Sequence, residues 1–172
     1  SLLTQGGSGS SFWTGLADQE RYLDQDNITL TVGGLRGEYY NNIDFTDLTL
    51  TRIDSTVDFD WATGSPDPSI DADTFSVRWT GYIRAEFSET YTLYIGSDDG
   101  TRLYVDGSLL IDNWADQAYT QASATIALTA NRFYEVEIEY YENTGGAEVD
   151  FYWESASQVY EVVPSDRLYH TV

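Results

Sequence analysis

The sequence predicts an all-β fold: an antiparallel β-sandwich or barrel whose longer connections form loops at one end. Three observations carry this. Apolar residues recur at every second position in nearly every run from Leu35 onward, the period of a strand with one buried face. Turn signals rich in Gly, Asp and Asn separate these runs at short intervals. After Leu35 there is no long segment with the 3.6-residue apolar period of an amphipathic helix.

Taken in order, residues 1–11 are rich in Gly and Ser and read as a linker. From Phe12 to Gln25 the pattern is ambiguous, and a short helix through Leu16, Arg21 and Leu23 is one reading. Ile28 to Val32 alternates like a strand that either pairs with the main sheet or leads into it. Residues 1–33 are therefore read as a linker and N-terminal extension, and 34–172 as the domain proper. Within it, Phe75, Val77 and Trp79 share a strand face, as do Tyr91, Leu93 and Ile95. Leu103 and Val105 lead through Asp106-Gly107, a two-residue hairpin turn, to Leu109 and Ile111. Ala124, Ile126 and Leu128 form another strand. Tyr134, Val136, Ile138 and Tyr140 form a long one, and Val149, Phe151 and Trp153 close the series.

Charge narrows the partners. Twenty-nine acidic residues face eight basic ones, all Arg, for a formal charge of -21. Such a surface repels nucleic-acid phosphates and anionic lipid. It attracts divalent cations, for which carboxylates are preferred ligands when the ion is hard, as calcium is. Acidic chains poor in aromatics are commonly disordered, but aromatics make up 15% of this one. With no cysteine, the fold needs no oxidation and has no thiolate metal site. An acidic, aromatic-rich, cysteine-free globule suits a calcium-rich exterior. No apolar run approaches membrane-spanning length and no signal peptide is recognisable, so the chain reads as a segment of something larger.

Catalytic constellations are nearly absent. The single histidine, His170, lies close to the C-terminal end and reads as a solvated residue, not a general base. No phosphate-binding or dinucleotide fingerprint occurs. The expectation is a binding module and not an enzyme.

Two loops carry the chemistry. The first is Ile95-Gly96-Ser97-Asp98-Asp99-Gly100-Thr101. As a plain hairpin it needs no explanation, since Asp-Gly is a common turn pair. As a metal clamp it needs Asp98 and Asp99 to converge. Adjacent side chains on ordinary extended backbone point apart, so convergence calls for an unusual link such as a cis peptide. The second is Tyr140-Tyr141-Glu142-Asn143-Thr144-Gly145-Gly146-Ala147, whose glycines let carbonyls turn inward and whose Asn143 supplies a side-chain oxygen. Asp98, Asp99, Asn143 and two loop carbonyls would provide about five of the six to eight oxygens that calcium takes. The rest would be filled by water or by a ligand's hydroxyls.

The series Gly34-Leu35-Arg36-Gly37-Glu38-Tyr39-Tyr40, Phe75-Ser76-Val77-Arg78-Trp79-Thr80-Gly81, Tyr91 through Gly100, Leu103 through Gly107, and Tyr140-Tyr141-Glu142 with Gly145 resembles the anthrax-protective-antigen-type lectin domain. That family includes domains of bacterial RTX adhesins, yeast flocculins and epithelial adhesins, and of some glycosidases. The resemblance runs from about Gly34 to Tyr169. It implies a sandwich with ligand-binding loops at one end, a cis peptide between Asp98 and Asp99, and a calcium ion that ligates two neighbouring sugar hydroxyls. It implies Asp98, Asp99 and Asn143 as side-chain ligands, with the carbonyls of Gly145 and Ala147 as backbone ligands and Thr144 close by. The expected partners are glycans with vicinal diols, of fucose or glucose type, met by a monomeric module of a secreted or cell-surface adhesin; the alternatives are a carbohydrate-binding module of a larger glycosidase and a structural or interaction module that binds no sugar. Trp114, Asp116 and Gln117 lie in the loop after the Asp106-Gly107 hairpin. Asp116 and Gln117 are expected to line the sugar site. Trp114 either stacks on a sugar ring or caps the sandwich, and burial of large aromatics favours the cap. Asp71 with Asp73, and Asp24 with Asp26, are at most surface cation positions, and Trp61, Trp79 and Trp153 read as core.

Overall fold

The computed structural model describes residues 11–12 and 21–172. Its strands, numbered in chain order, form two antiparallel sheets. The larger sheet holds β1 (Ser11–Phe12), β2 (Arg21–Leu23), β3 (Thr29–Val32), β4 (Leu35–Tyr40), β5 (Leu48–Asp54), β7 (Phe75–Arg84), β9 (Gly100–Val105), β10 (Ser108–Asn113), β12 (Phe133–Glu142) and β15 (Leu168–Thr171). The smaller holds β6 (Asp58–Ala62), β8 (Glu89–Asp98), β11 (Thr120–Leu128), β13 (Ala147–Glu154) and β14 (Glu161–Val162). The larger sheet runs β1-β2-β3-β15-β7-β12-β9-β10, with β4 also on β7 and β5 on β4. The smaller runs β11-β8-β13-β14, with β6 also on β13.

The period-two pattern becomes a core because each sheet turns one face inward. Phe75, Val77, Trp79, Val136, Ile138 and Tyr140 from the larger sheet meet Tyr91, Leu93, Ile95, Val149, Phe151 and Trp153 from the smaller, all at 0% exposure. Fully burying one such side chain contributes about 1.5–3 kcal/mol. The Asp54 carboxylate is enclosed beside them. Asp54 accepts hydrogen bonds from the Tyr39 hydroxyl (2.6 Å), Trp79 Nε1 (2.8 Å) and Arg52 Nε (2.7 Å), which satisfies it. Asp106-Gly107 turns with both residues at positive φ, as a two-residue hairpin requires.

Two expectations are corrected. The helical reading through Arg21 and Leu23 fails: Arg21–Leu23 is a strand paired with β3, because β3 itself pairs with β15 and offers it an edge. Leu16 lies outside the described residues. His170 is not a solvated tail residue. It sits in β15, half-buried, with Nδ1 3.1 Å from the Gly34 carbonyl oxygen.

What matters for the site is four of the places where the chain changes sheets. It crosses from the smaller to the larger between β8 and β9, at Asp98-Asp99, and between β6 and β7, ahead of Phe75. It crosses back between β10 and β11, through Trp114 to Tyr119, and between β12 and β13, through Asn143 to Gly146. Hydrogen bonds tie these four crossings to one another at one end of the sandwich.

Candidate functional site

The Asp98-Asp99 peptide is cis, as the family resemblance implied. The two carboxylates converge, and a third joins them. Asp98, Asp99 and Glu142 each offer an oxygen within 4.8 Å of the others. Among the described residues no ion pair reaches any of the three.

Asp99 is held rigidly. Its Oδ1 accepts from the Gln117 backbone N–H (2.8 Å) and its Oδ2 from the Asn143 backbone N–H (2.9 Å). Its carbonyl accepts from the Ser97 hydroxyl (2.7 Å) and from Gln117 Nε2 (3.2 Å). The Tyr140 hydroxyl donates to the Asp98 carbonyl at 2.6 Å. Gly100 is required here by close approach: a Cβ on it would lie 2.1 Å from the Tyr141 ring. The Tyr141 hydroxyl in turn donates to Asp116 Oδ1 (2.7 Å), and Asn143 Nδ2 donates to Asp116 Oδ2 (3.0 Å). That bond uses the nitrogen of the Asn143 amide and does not consume its oxygen.

Glu142 is the residue that sequence reasoning missed. It is 0% exposed, and neither carboxylate oxygen has a hydrogen-bond partner among the described residues. Burial, then the nearby charges of Asp99 and Asp98, push its carboxyl up to about 8. Burial and the Asp99 charge also raise Asp98. A signal was present: Glu142 continues the alternate, core-facing row Val136, Ile138, Tyr140. At an effective dielectric of about 20, two charges 4.8 Å apart repel by about 3.5 kcal/mol. That is a large share of a typical domain's stability of about 5–15 kcal/mol. Three ionised carboxylates at this spacing need a proton or a cation among them.

The other anticipated residues fall around this cluster. Gly146 lies beside Asp98, whose Oδ2 would be 3.6 Å from a Cβ placed there. Its neighbour Gly145, at φ +114°, donates its N–H to Asp73 Oδ1 (3.2 Å), and Ala147 opens β13 opposite Ala62. The Asn143 carbonyl accepts from the Thr74 N–H (2.9 Å), so the second loop is pinned against the β6–β7 crossing. Thr144 is exposed at the loop tip. Trp114 stands one layer away. Its ring packs 4.6 Å from Tyr141 and 5.9 Å from Phe45, with the Arg102 guanidinium 4.2 Å above it, a capping position more than an open stacking face. Asp24 closes a local turn by accepting from the Asp26 and Ile28 N–H groups.

The chain is similar to several known proteins. It is 51% identical over 139 residues to the anti-sigma-I factor RsgI3 of Acetivibrio thermocellus, covering 81% of this chain and 22% of that protein. A solved anti-sigma factor domain-containing protein is 50% identical, with a TM-score of 0.80 over 81% of this chain and 49% of its own. The chain thus spans about a fifth of the first and half of the second. A solved PA14 sugar-binding domain from an RTX adhesin shares the fold at a TM-score of 0.67 and 21% identity, over 81% of this chain and 99% of that domain. The PA14 domain model matches residues 32–167, taking in every strand from β4 to β14 and the four sheet crossings that surround Asp99, and by that match the chain belongs to the PA14 domain family.

Proposed function

We propose that this chain is a calcium-dependent carbohydrate-recognition module and not an enzyme. The observation that carries this reading is the carboxylate group Asp98, Asp99 and Glu142, largely buried and converged with no counter-charge and no partner for either Glu142 oxygen among the described residues. Buried charges are normally paired or bound to metal. Oxygen-only donors suit a hard cation, and calcium tolerates irregular loop geometry better than magnesium does. The Asn143 side-chain oxygen and the carbonyls of Gly145 and Ala147 would complete the protein's share. A bound calcium would supply open positions for two adjacent sugar hydroxyls. The likeness to a domain described as sugar-binding supports the choice of ligand.

In this reading the residues of the β10–β11 connection have separate duties. The Gln117 backbone orients Asp99, and the Asp116 carboxylate orients the Asn143 amide. Asp116→Ala should therefore weaken calcium uptake modestly while shifting preference among sugars more. Calcium titration followed by sugar titration in a calorimeter separates the two. We place the module outside the cell, where calcium and glycans are both available. The 51% identity to an anti-sigma-I factor favours a host that reports glycan contact over one that only adheres.

The test is a glycan array run with calcium and again with chelator. Binding should require calcium and be inhibited by monosaccharides with vicinal hydroxyls of fucose or glucose type. Single-site affinity should lie near 1 mM, equivalent to about −4 kcal/mol. Glycan binding unchanged in chelator overturns the reading.

A further inference from the structure

The smaller sheet turns its other face to solvent, and that face is aromatic. Tyr94 on β8 and Tyr152 on β13 are direct register partners. Tyr160, from the loop ahead of β14, stacks on Tyr152 (centroids 4.9 Å apart, 14° between planes) and meets Tyr94 edge-on at 5.2 Å. Gln121 Nε2 on β11 donates to the Tyr160 hydroxyl at 2.9 Å, so this ring lies across the strands instead of swinging free. Tyr119 lies over Gly96, where a Cβ would meet its hydroxyl oxygen at 2.2 Å, and that hydroxyl donates to Asp150 Oδ2 at 2.7 Å. The Tyr94 hydroxyl donates to Glu154. Despite these tethers Tyr160 remains 49% exposed and Tyr119 42%.

Charge selects the occupant. None of the five strands of this sheet contains a basic residue, while Asp58, Asp60, Glu148, Asp150 and Glu154 alternate on its outer face. Phosphate-bearing and other anionic polymers are repelled. Flat aromatic rings beside carboxylate and amide acceptors match a neutral polysaccharide, whose rings present C–H faces and whose rims present hydroxyls. The face is also continuous with the calcium site. Asp98 ends β8 on the same alternation as Tyr94 and Gly96, and it pairs across with Glu148. From Tyr94 to Asp98 is about 13 Å along the strand, longer than a single pyranose ring.

The geometry points to an extended glycan platform: Tyr160, Tyr119, Tyr152 and Tyr94 carry further residues of a neutral polysaccharide chain that also reaches the Asp98 end. This rests on the carbohydrate reading above but not on the ion. Because hydrogen bonds hold the rings in place beforehand, little side-chain freedom is lost on binding. Only an oligosaccharide spans both regions, so affinity depends on chain length.

The experiment is calorimetry of the whole chain with linear neutral gluco-, xylo- and manno-oligosaccharides, from mono- to hexasaccharide, in calcium and in chelator. For at least one series, affinity should rise about tenfold or more from mono- to hexasaccharide, as expected for one or two added ring contacts. Tyr160→Ala should remove that gain while leaving monosaccharide binding in calcium unchanged. Tyr160→Phe, which keeps the ring, should retain most of the gain, and an unchanged melting profile for each variant excludes misfolding. Tyr160-dependent hexasaccharide binding that survives in chelator upholds the platform and sinks the calcium reading. A chain-length gain indifferent to Tyr160→Ala, or no gain in any series, overturns the platform, and the face is then a contact for another protein surface.

Discussion

Calcium at a hundredfold excess over its dissociation constant should raise the melting temperature of this chain by about 5–11 °C. An ion that binds only the folded state contributes about 2.7 kcal/mol at that excess. For a domain of this size each kcal/mol moves the melting temperature by about 2–4 °C. The physical source is the buried repulsion among Asp98, Asp99 and Glu142, which a divalent charge converts into attraction. The ion would also join segments more than forty residues apart, as the Asn143 N–H to Asp99 bond already does. So acidic a surface has weak cation positions elsewhere, and these add to the shift. The Asp98→Ala/Asp99→Ala double variant is therefore the deciding sample: it should stay folded, lose most of the shift and lose calcium-dependent sugar binding. Equal calcium stabilisation in variant and wild type would assign the metal to the general surface.

Glu142→Gln should raise the melting temperature of the calcium-free protein at pH 8 and above, and should shrink the shift that calcium adds. Without calcium, the wild type holds an enclosed carboxylate with no donor. A buried unsatisfied polar group costs about 1–3 kcal/mol, more when charged. Above pH 8 a glutamine amide removes the charge that Glu142 then carries and offers donors to the Asp98 and Asp99 carboxylates, so there the calcium-free variant should melt several degrees higher. With calcium it loses one anionic ligand, so the calcium-induced shift should shrink by half or more. The pH dependence follows in sign. Glu142 is raised to about 8 by burial, above its ordinary 4.5. Its contribution to stability is full below about 4.5 and is lost as pH rises towards 8. The calcium-free wild type should lose stability over that range, and Glu142→Gln should flatten the decline. Melting curves from pH 4.5 to 9, with and without calcium, measure all three effects. A variant that melts like the wild type in both states would place the ion away from Glu142.

Much of this was legible before any tertiary contact was known. The alternating rows at Phe75-Val77-Trp79, Tyr91-Leu93-Ile95 and Val149-Phe151-Trp153 each became an inward face. Alternation is a local property of extended backbone, so composition at every second residue reports it directly. The Asp98-Asp99 pair and the glycine-bearing loop after Tyr140 were equally visible, because carboxylates and flexible turns are written residue by residue. The segment from Phe12 to Gln25 was not. Arg21–Leu23 is a strand only because β3 offers it an edge, and that pairing is a tertiary fact.

The sequence by itself determined the class of fold and the two loops that carry the acidic and amide donors. Only the tertiary structure brought Glu142 to the Asp pair. The row Val136, Ile138, Tyr140, Glu142 announces an inward-facing carboxylate, but nothing local says what it faces. It faces the point where the chain crosses between sheets, and that place depends on β12 pairing with both β7 and β9. The same holds for Gln117 and Asp116, whose grip on Asp99 and Asn143 closes gaps of eighteen and twenty-seven residues. It holds again for the tyrosines of the smaller sheet, since exposure of a ring depends on which strands flank it. Patterns of period two encode which side of a strand is buried, and packing alone decides what lies across from it.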